Sequence, residues 1–264
     1  GDHVLGLPGL LQTMGLNDRT QALDIYGPPG TKRMLRHFTS PPMPRPSFPV
    51  HVHEIEDGAV LSMDGYRIEA RSLKHTVYNL GYALIEDPRP GRFDKPKALE
   101  LGVPEGPAFG KLQKGMDVEL EDGTVITPGM VLGPQRRGRK VVFTGDCTPC
   151  EATIELAHRA DVLIHDSTYA SDYEDANGHG HSTAQQAAFM AQKAQARHLF
   201  LTHISPRYTK ADDLFEEATA IFDEVTVAHD LMAEVIKFPP DEPAEGSFAE
   251  PEEGVPAPAS ASQV

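Results

Sequence analysis

The chain has 264 residues, two cysteines, no tryptophan and a formal charge of −15, with 39% hydrophobic and 24% charged residues. That composition is globular, not disordered, and no apolar run approaches the ~20 residues that cross a bilayer. Two cysteines cannot staple a fold of this length, which argues for a reducing, cytoplasmic compartment, and the acidic balance argues against a nucleic-acid partner held by net charge alone.

In chain order, alternating helix and strand signals predict an α/β fold. His3 to Met14 reads as a helix with a crowded apolar face of Val4, Leu5, Leu7, Leu10 and Leu11. Ala22 to Tyr26 reads as a short strand, and the Gly27-Pro28-Pro29-Gly30 turn leads into a helix from Thr31 to Phe38. Five prolines between Pro41 and Pro49 impose a loop. Val50–Ile55, Ala59–Met63, Tyr66–Ser72 and Tyr78–Ile85 alternate as strands, with Asp64-Gly65 as a hairpin turn.

From about 86 to 138 the pattern is interrupted by prolines at 88, 90, 96, 104, 107, 128 and 134. An excursion of this length is too long for a plain connection and predicts a functional insertion. The core pattern then resumes: strands at Lys140–Thr144, Val162–His165 and His198–Thr202 alternate with helices at Thr153–Ala160, Ser182–Ala194 and Ala211–Ile221. Val225–Ala228 and Glu234–Phe238 are expected as closing strands. Gly1 in place of a methionine, with the text starting inside a motif, predicts that the natural chain begins upstream.

Charge is unevenly spread. The segment from Phe238 to Val264 carries six acids and no lysine or arginine, so without it −15 becomes −9. Its proline, alanine and serine content predicts a disordered tail over 239–264. Lys111, Lys114, Arg136, Arg137, Arg139 and Lys140 form the most basic stretch, inside or bordering the insertion.

Twelve histidines are sorted by position. Three apolar strands each deliver His or Asp at or just past the C-terminal end: Asp146 after Val141-Val142-Phe143-Thr144-Gly145, His165-Asp166 after Val162-Leu163-Ile164, and His203 after Leu199-Phe200-Leu201-Thr202. Buried parallel strands present ligands at that end, and imidazole with carboxylate is a zinc donor set. Asp2-His3 before a helix fits a metal pair or a capping Asp beside a surface His. His75 fits a ligand or a structural role, and Asp146 fits a ligand or a helix cap. His51 and His53 are assigned to a strand face. Cys147 and Cys150 read as reduced thiols near the site, sensitive to oxidation.

These motifs resemble the ribonuclease Z family of the metallo-β-lactamase superfamily from residue 1 to about 238. Gly1-Asp2-His3-Val4-Leu5-Gly6-Leu7-Pro8-Gly9-Leu10-Leu11 resembles the signature helix after the family's His-x-His-x-Asp-His, of which only the last Asp-His is present. Phe143-Thr144-Gly145-Asp146 resembles the bridging-aspartate motif, and His165-Asp166-Ser167-Thr168 the His-Glu-Ala-Thr motif. Gly180-His181-Ser182-Thr183 and Leu201-Thr202-His203-Ile204-Ser205-Pro206-Arg207-Tyr208 match the last two motifs. Pro104-Glu105-Gly106-Pro107-Ala108-Phe109-Gly110-Lys111-Leu112 resembles the tRNA-gripping arm.

The resemblance implies an αββα sandwich lacking its N-terminal strands here, with a hydrolase domain over 1–238 and the arm inserted in it. It implies a di-zinc site in the intact protein: Asp2, His3 and His203 on one ion, Asp146 bridging, and His75 on the other with two upstream histidines. Asp2 would orient or deprotonate a water, and His181, supported by Asp166, would donate a proton to the leaving oxygen. The substrate implied is precursor tRNA, gripped through Gly106, Pro107, Lys111, Lys114 and the Arg136-Arg137 segment by a homodimer. Two other readings stay open: another phosphodiesterase or arylsulfatase of the superfamily, and a metal-deficient RNA-binding relative.

Overall fold

The computed structural model describes residues 3–40, 46–173 and 175–239. Asp2, positions 41–45 of the proline-rich loop and the acidic tail beyond Pro239 lie outside the described residues. The elements in order are α1 (Leu7–Leu16), β1 (Leu23–Gly27), α2 (Thr31–Phe38), β2 (Val50–Glu54), β3 (Val60–Met63), β4 (Tyr66–Leu73) and β5 (Asn79–Glu86). They continue as α3 (Lys95–Glu100), α4 (Pro107–Gln113), β6 (Val118–Glu119), β7 (Val125–Ile126) and α5 (Pro128–Val131). The last are β8 (Lys140–Phe143), α6 (Glu151–Leu156), β9 (Val162–Asp166), α7 (Ala184–Lys193), β10 (Leu199–Thr202), α8 (Asp212–Thr219) and β11 (Val225–Val227).

The described residues divide into two compact units, one from those up to 86 and from 139 to 237, the other from 87–138 with 238–239. In the first, a seven-stranded sheet runs β11-β10-β9-β8-β5-β4-β3. Strands β8 to β11 are mutually parallel, and β5, β4 and β3 complete the sheet antiparallel. Parallel strands flanked on both faces read as continuous apolar runs. Val162-Leu163 and Leu199-Phe200-Leu201 are buried accordingly. Ala187, Ala188 and Ala191 of α7 and Leu214 and Ala218 of α8 share one core with Leu163, Leu199 and Leu201. Small side chains on α7 let the helix lie close to the strands.

Strands β1 and β2 form a separate two-stranded parallel pair. One face of it, Leu23, Ile25, Val50 and Val52, packs with Leu11 of α1, Leu35 of α2 and Phe48.

Two expectations need correction. The first helix does not start at His3: residues 3–6 form a turn and α1 begins at Leu7 with Pro8 in its first turn. Proline is tolerated there because that N–H has no intrahelical partner, and it cannot sit deeper. The segment 234–238 is not a strand. Val235 is exposed and the Ile236 carbonyl accepts from Arg139 Nη1 at 2.9 Å, so a side chain tethers the segment where a ladder was expected.

The second unit has its own core of Ala98, Val103, Leu112, Val118, Ile126 and Val131, with Phe93 and Phe109 rings 4.8 Å apart. Its two ends run antiparallel through the Arg89–Arg136 and Phe93–Leu132 pairings. Gly91 passes so tightly against the Gly133 backbone that no side chain fits. In the first unit, at the points where the chain departs and returns, Arg139 holds Glu86 bidentately, with Nε at 2.8 Å from Oε2. Those hydrogen bonds raise the Arg139 pKa above its ordinary value.

Candidate metal centre

Because β8, β9 and β10 run parallel, the residues leaving their C-terminal ends collect along one edge of the sheet. Asp146, Asp166 and His203 come from those ends, and His181 from just before α7; one ligand atom of each lies within 4.8 Å of every other. His3, in the turn before α1, reaches the same carboxylate: its Nε2 is 2.8 Å from Asp146 Oδ1, and His203 Nε2 is 3.3 Å from that atom. The imidazoles are close neighbours, with ring centroids 5.2 Å apart for His3–His203, 5.0 Å for His181–His203 and 5.5 Å for His75–His181.

Asp166 organises the cluster from beneath. It is fully buried, and both its oxygens are filled. Oδ1 accepts from Thr168 N at 3.0 Å and Thr168 Oγ1 at 2.7 Å; Oδ2 accepts from Cys147 N at 3.0 Å and His181 Nδ1 at 2.9 Å. The aspartate therefore reaches His181 despite being one methylene shorter than glutamate.

A carboxylate only accepts, so the Thr168 hydroxyl spends its proton on Asp166. Its oxygen must then accept from His203 Nδ1, 2.8 Å away. That bond fixes the tautomer of His203, leaving Nε2 as the bare nitrogen of the neutral ring, turned to Asp146. One buried carboxylate thus orients two imidazoles, the second-sphere pattern that aims histidines at metals.

Asp146 Oδ1 supplies the fit test for a cation. It is buried and has no hydrogen-bond partner among the described residues, while two imidazole nitrogens point at it. For His203, whose Nε2 is bare, the lone pair facing that oxygen at 3.3 Å repels it unless both are held by a cation. A carboxylate oxygen with two imidazole nitrogens is a donor set for a divalent transition metal. The residues present fit one.

The backbone around the cluster is specialised. His203 adopts φ 59°, an uncommon left-handed conformation for a histidine, and such strain concentrates at functional sites. Asn79 Nδ2 donates to the carbonyls of Thr144 at 3.1 Å and Asp146 at 2.8 Å, pinning the loop that carries the aspartate. His75 Nδ1 donates to the Gly180 carbonyl at 2.8 Å, which leaves its Nε2 as the nitrogen available to a ligand. Gly180 has φ +86°, and a Cβ there would stand 2.6 Å from His75 Nδ1, so only glycine serves.

Sequence reasoning named His3, His75, Asp146, Asp166, His181 and His203, and the structure groups them; Asp2 lies outside the described residues. It did not single out Thr168 or Asn79. Thr168 stood inside a quoted motif, whereas nothing local marks Asn79, the first residue of β5. His165 is a buried core histidine, bonded to the Asp166 carbonyl at 2.6 Å, and burial lowers its pKa. His51 and His53 sit on the exposed face of β2, both directed at Asp24 Oδ1, at 3.5 and 2.7 Å.

The expected oxidation sensitivity does not hold for Cys147. It is fully buried, and that burial pushes its thiol up to about 12, so no reactive thiolate forms.

In the second unit, Lys111 and Lys114 are exposed at the end of α4, which starts after Gly106 with Pro107 in its first turn. Arg136 and Arg137 are half-buried. The Arg136 guanidinium donates to the Pro90 carbonyl at 3.0 Å, and the Arg137 carbonyl accepts from Arg89.

A family model described as a beta-lactamase superfamily domain matches residues 112–204. A ribonuclease Z of Haloferax volcanii is 49% identical over 234 residues, covering 87% of this chain and 74% of that protein. One from Natronomonas pharaonis is 51% identical over 225 residues, covering 81% and 73%. The crystal structure of human tRNase Z, short form, matches with a TM-score of 0.60 and 25% identity over 90% of this chain and 76% of that one. With half of its residues shared over most of both sequences, the chain belongs to the ribonuclease Z family.

Proposed function

We propose that this protein is a zinc-dependent endoribonuclease that removes the 3′ trailer from precursor tRNA in the cytoplasm and leaves a 3′-hydroxyl on the tRNA. The observation that carries the reading is the buried Asp166, which holds His203 through Thr168 and His181 directly. It joins a cation-binding group to a proton-donating one in one network.

His3, Asp146 and His203 would hold the metal, with Asp2 and His75 added on the resemblance. Zinc held there would supply Lewis acidity toward water and positive charge against the phosphate. The rest falls to side chains. Asp166 Oδ2 holds the His181 ring through Nδ1 at 2.9 Å. Nε2 is then the atom that hands a proton to the leaving 3′ oxygen of the tRNA. Asp166 is itself no ligand, because its oxygens are already filled by four donors.

Folded tRNA is read by shape and backbone. Lys111 and Lys114, exposed on α4, are the phosphate contacts of the arm, and the homodimer of the family supplies the arm to the partner's site. Leu5, Leu10 and Leu16 in and beside α1 are 63%, 49% and 83% exposed, an apolar surface that suits burial against a second copy.

The test is incubation with a precursor tRNA carrying a 3′ trailer, with product ends mapped. One cut leaving a 3′-hydroxyl at the mature end, abolished by chelation and restored by zinc, supports the reading. Cutting that persists in chelator, or cuts scattered over the tRNA, refutes it.

A further inference from the structure

The sequence is strongly acidic, yet α2 turns a wholly basic face outward. At 3.6 residues per turn, Lys32, Arg33, Arg36 and His37 fall within an arc of about 140°. All four are exposed. The opposite arc is Thr31, Met34, Leu35 and Phe38, with Thr31 and Leu35 buried and Leu35 in the core with Leu11 and Phe48. The helix contains no acid.

No ion pair joins Lys32, Arg33 or Arg36 to a carboxylate among the described residues. Glu54 feels the charge of Lys32 and Arg33, but its Oε1 is taken by the backbone, accepting from Gly30 N and Lys32 N at 2.9 Å each. Like charges four apart on a helix cost about 0.2–0.5 kcal/mol per pair, and Lys32–Arg36 is such a pair. A face kept basic against that cost fits an anionic ligand with several charges in a row. Lys32 and Arg36 also edge a cleft of about 440 Å³ floored by Leu35, Phe48, Val50 and Val52, where a sugar or base edge finds apolar contact.

We infer that the outer face of α2, through Lys32, Arg33 and Arg36, is a contact surface for the sugar–phosphate backbone of the precursor tRNA, in addition to the lysines of α4. The inference rests on the tRNA reading above. A membrane surface is the weaker fit, because an interfacial helix needs its apolar face free and that of α2 is spent on the protein core.

The experiment is precursor-tRNA binding by the unaltered protein and by Lys32→Gln/Arg33→Gln/Arg36→Gln, titrated between 50 and 200 mM salt. Three lost phosphate contacts should weaken binding at least tenfold at 50 mM and flatten the log–log salt slope by about 2. Arg36→Gln alone should give roughly a third of the slope change. Hydrolysis of a small diaryl phosphodiester and the oligomeric mass should be unchanged. Wild-type affinity and slope in the triple variant overturn the inference. So does a binding loss accompanied by lost diester hydrolysis or altered mass, or a loss confined to binding of phosphatidylserine vesicles. Failure of the unaltered protein to bind precursor tRNA strikes the function reading instead, and so separates the two.

Discussion

At the scale of residues, the chemistry turns on side chains that never meet the substrate. Thr168 is the link by which a buried carboxylate dictates which nitrogen of His203 carries a proton. Thr168→Val keeps the volume and removes that link. Metal affinity should fall about 10–100-fold, as for other second-sphere partners, and a chelator-competition titration measures it. The two cysteines differ in burial. Under native conditions an alkylating reagent should modify Cys150 and leave Cys147 untouched until the protein unfolds, read by intact mass. The strand-end acids and histidines were legible in the sequence because buried strands announce themselves as apolar runs. Thr168 and Asn79 were not, because their roles exist only once three strands lie side by side.

At the scale of elements, strands β8 to β10 do the positioning, and α4 carries the cations suited to backbone contact. Replacing Lys111 and Lys114 by glutamine should weaken precursor-tRNA binding and lower the salt slope by about 1.5, measured by the same titration. An unchanged slope would leave the arm without its phosphate contacts. Arg136, counted with those lysines on sequence grounds, also donates to the Pro90 carbonyl, and the Arg137 carbonyl accepts from Arg89, where the insertion begins and ends. Charge is visible in sequence, but a bond such as that of the Arg136 guanidinium to the Pro90 carbonyl is not. Element boundaries failed for similar reasons. Apolar spacing suggested a helix from His3, yet the first-turn requirement of Pro8 defers it to Leu7 and leaves His3 in a turn facing Asp146. The apolar run at 234–238 pairs with no strand among the described residues.

At the scale of the whole molecule, the order of elements and the interruption at 86–138 were readable, since helical and strand periods alternate and prolines crowd the insertion. The sheet order was not, because β5 pairs with β8 across some fifty intervening residues and no local signal encodes that pairing. Nor does a single chain display its assembly. The proposed homodimer predicts a solution mass of twice 28.8 kDa by light scattering, and a mass of one chain at working concentrations would contradict that proposal.

The account stands on His3, Asp146 and His203 sharing a cation that His181 does not bind. Metal content by mass spectrometry, measured alongside precursor-tRNA cleavage for Asp146→Ala and His181→Ala, tests it most directly. Asp146→Ala should lose metal and activity together, whereas His181→Ala should keep its full metal complement and lose about 10²–10⁴ of turnover. An Asp146→Ala protein with undiminished metal, or a His181→Ala protein as depleted as Asp146→Ala, would contradict the account.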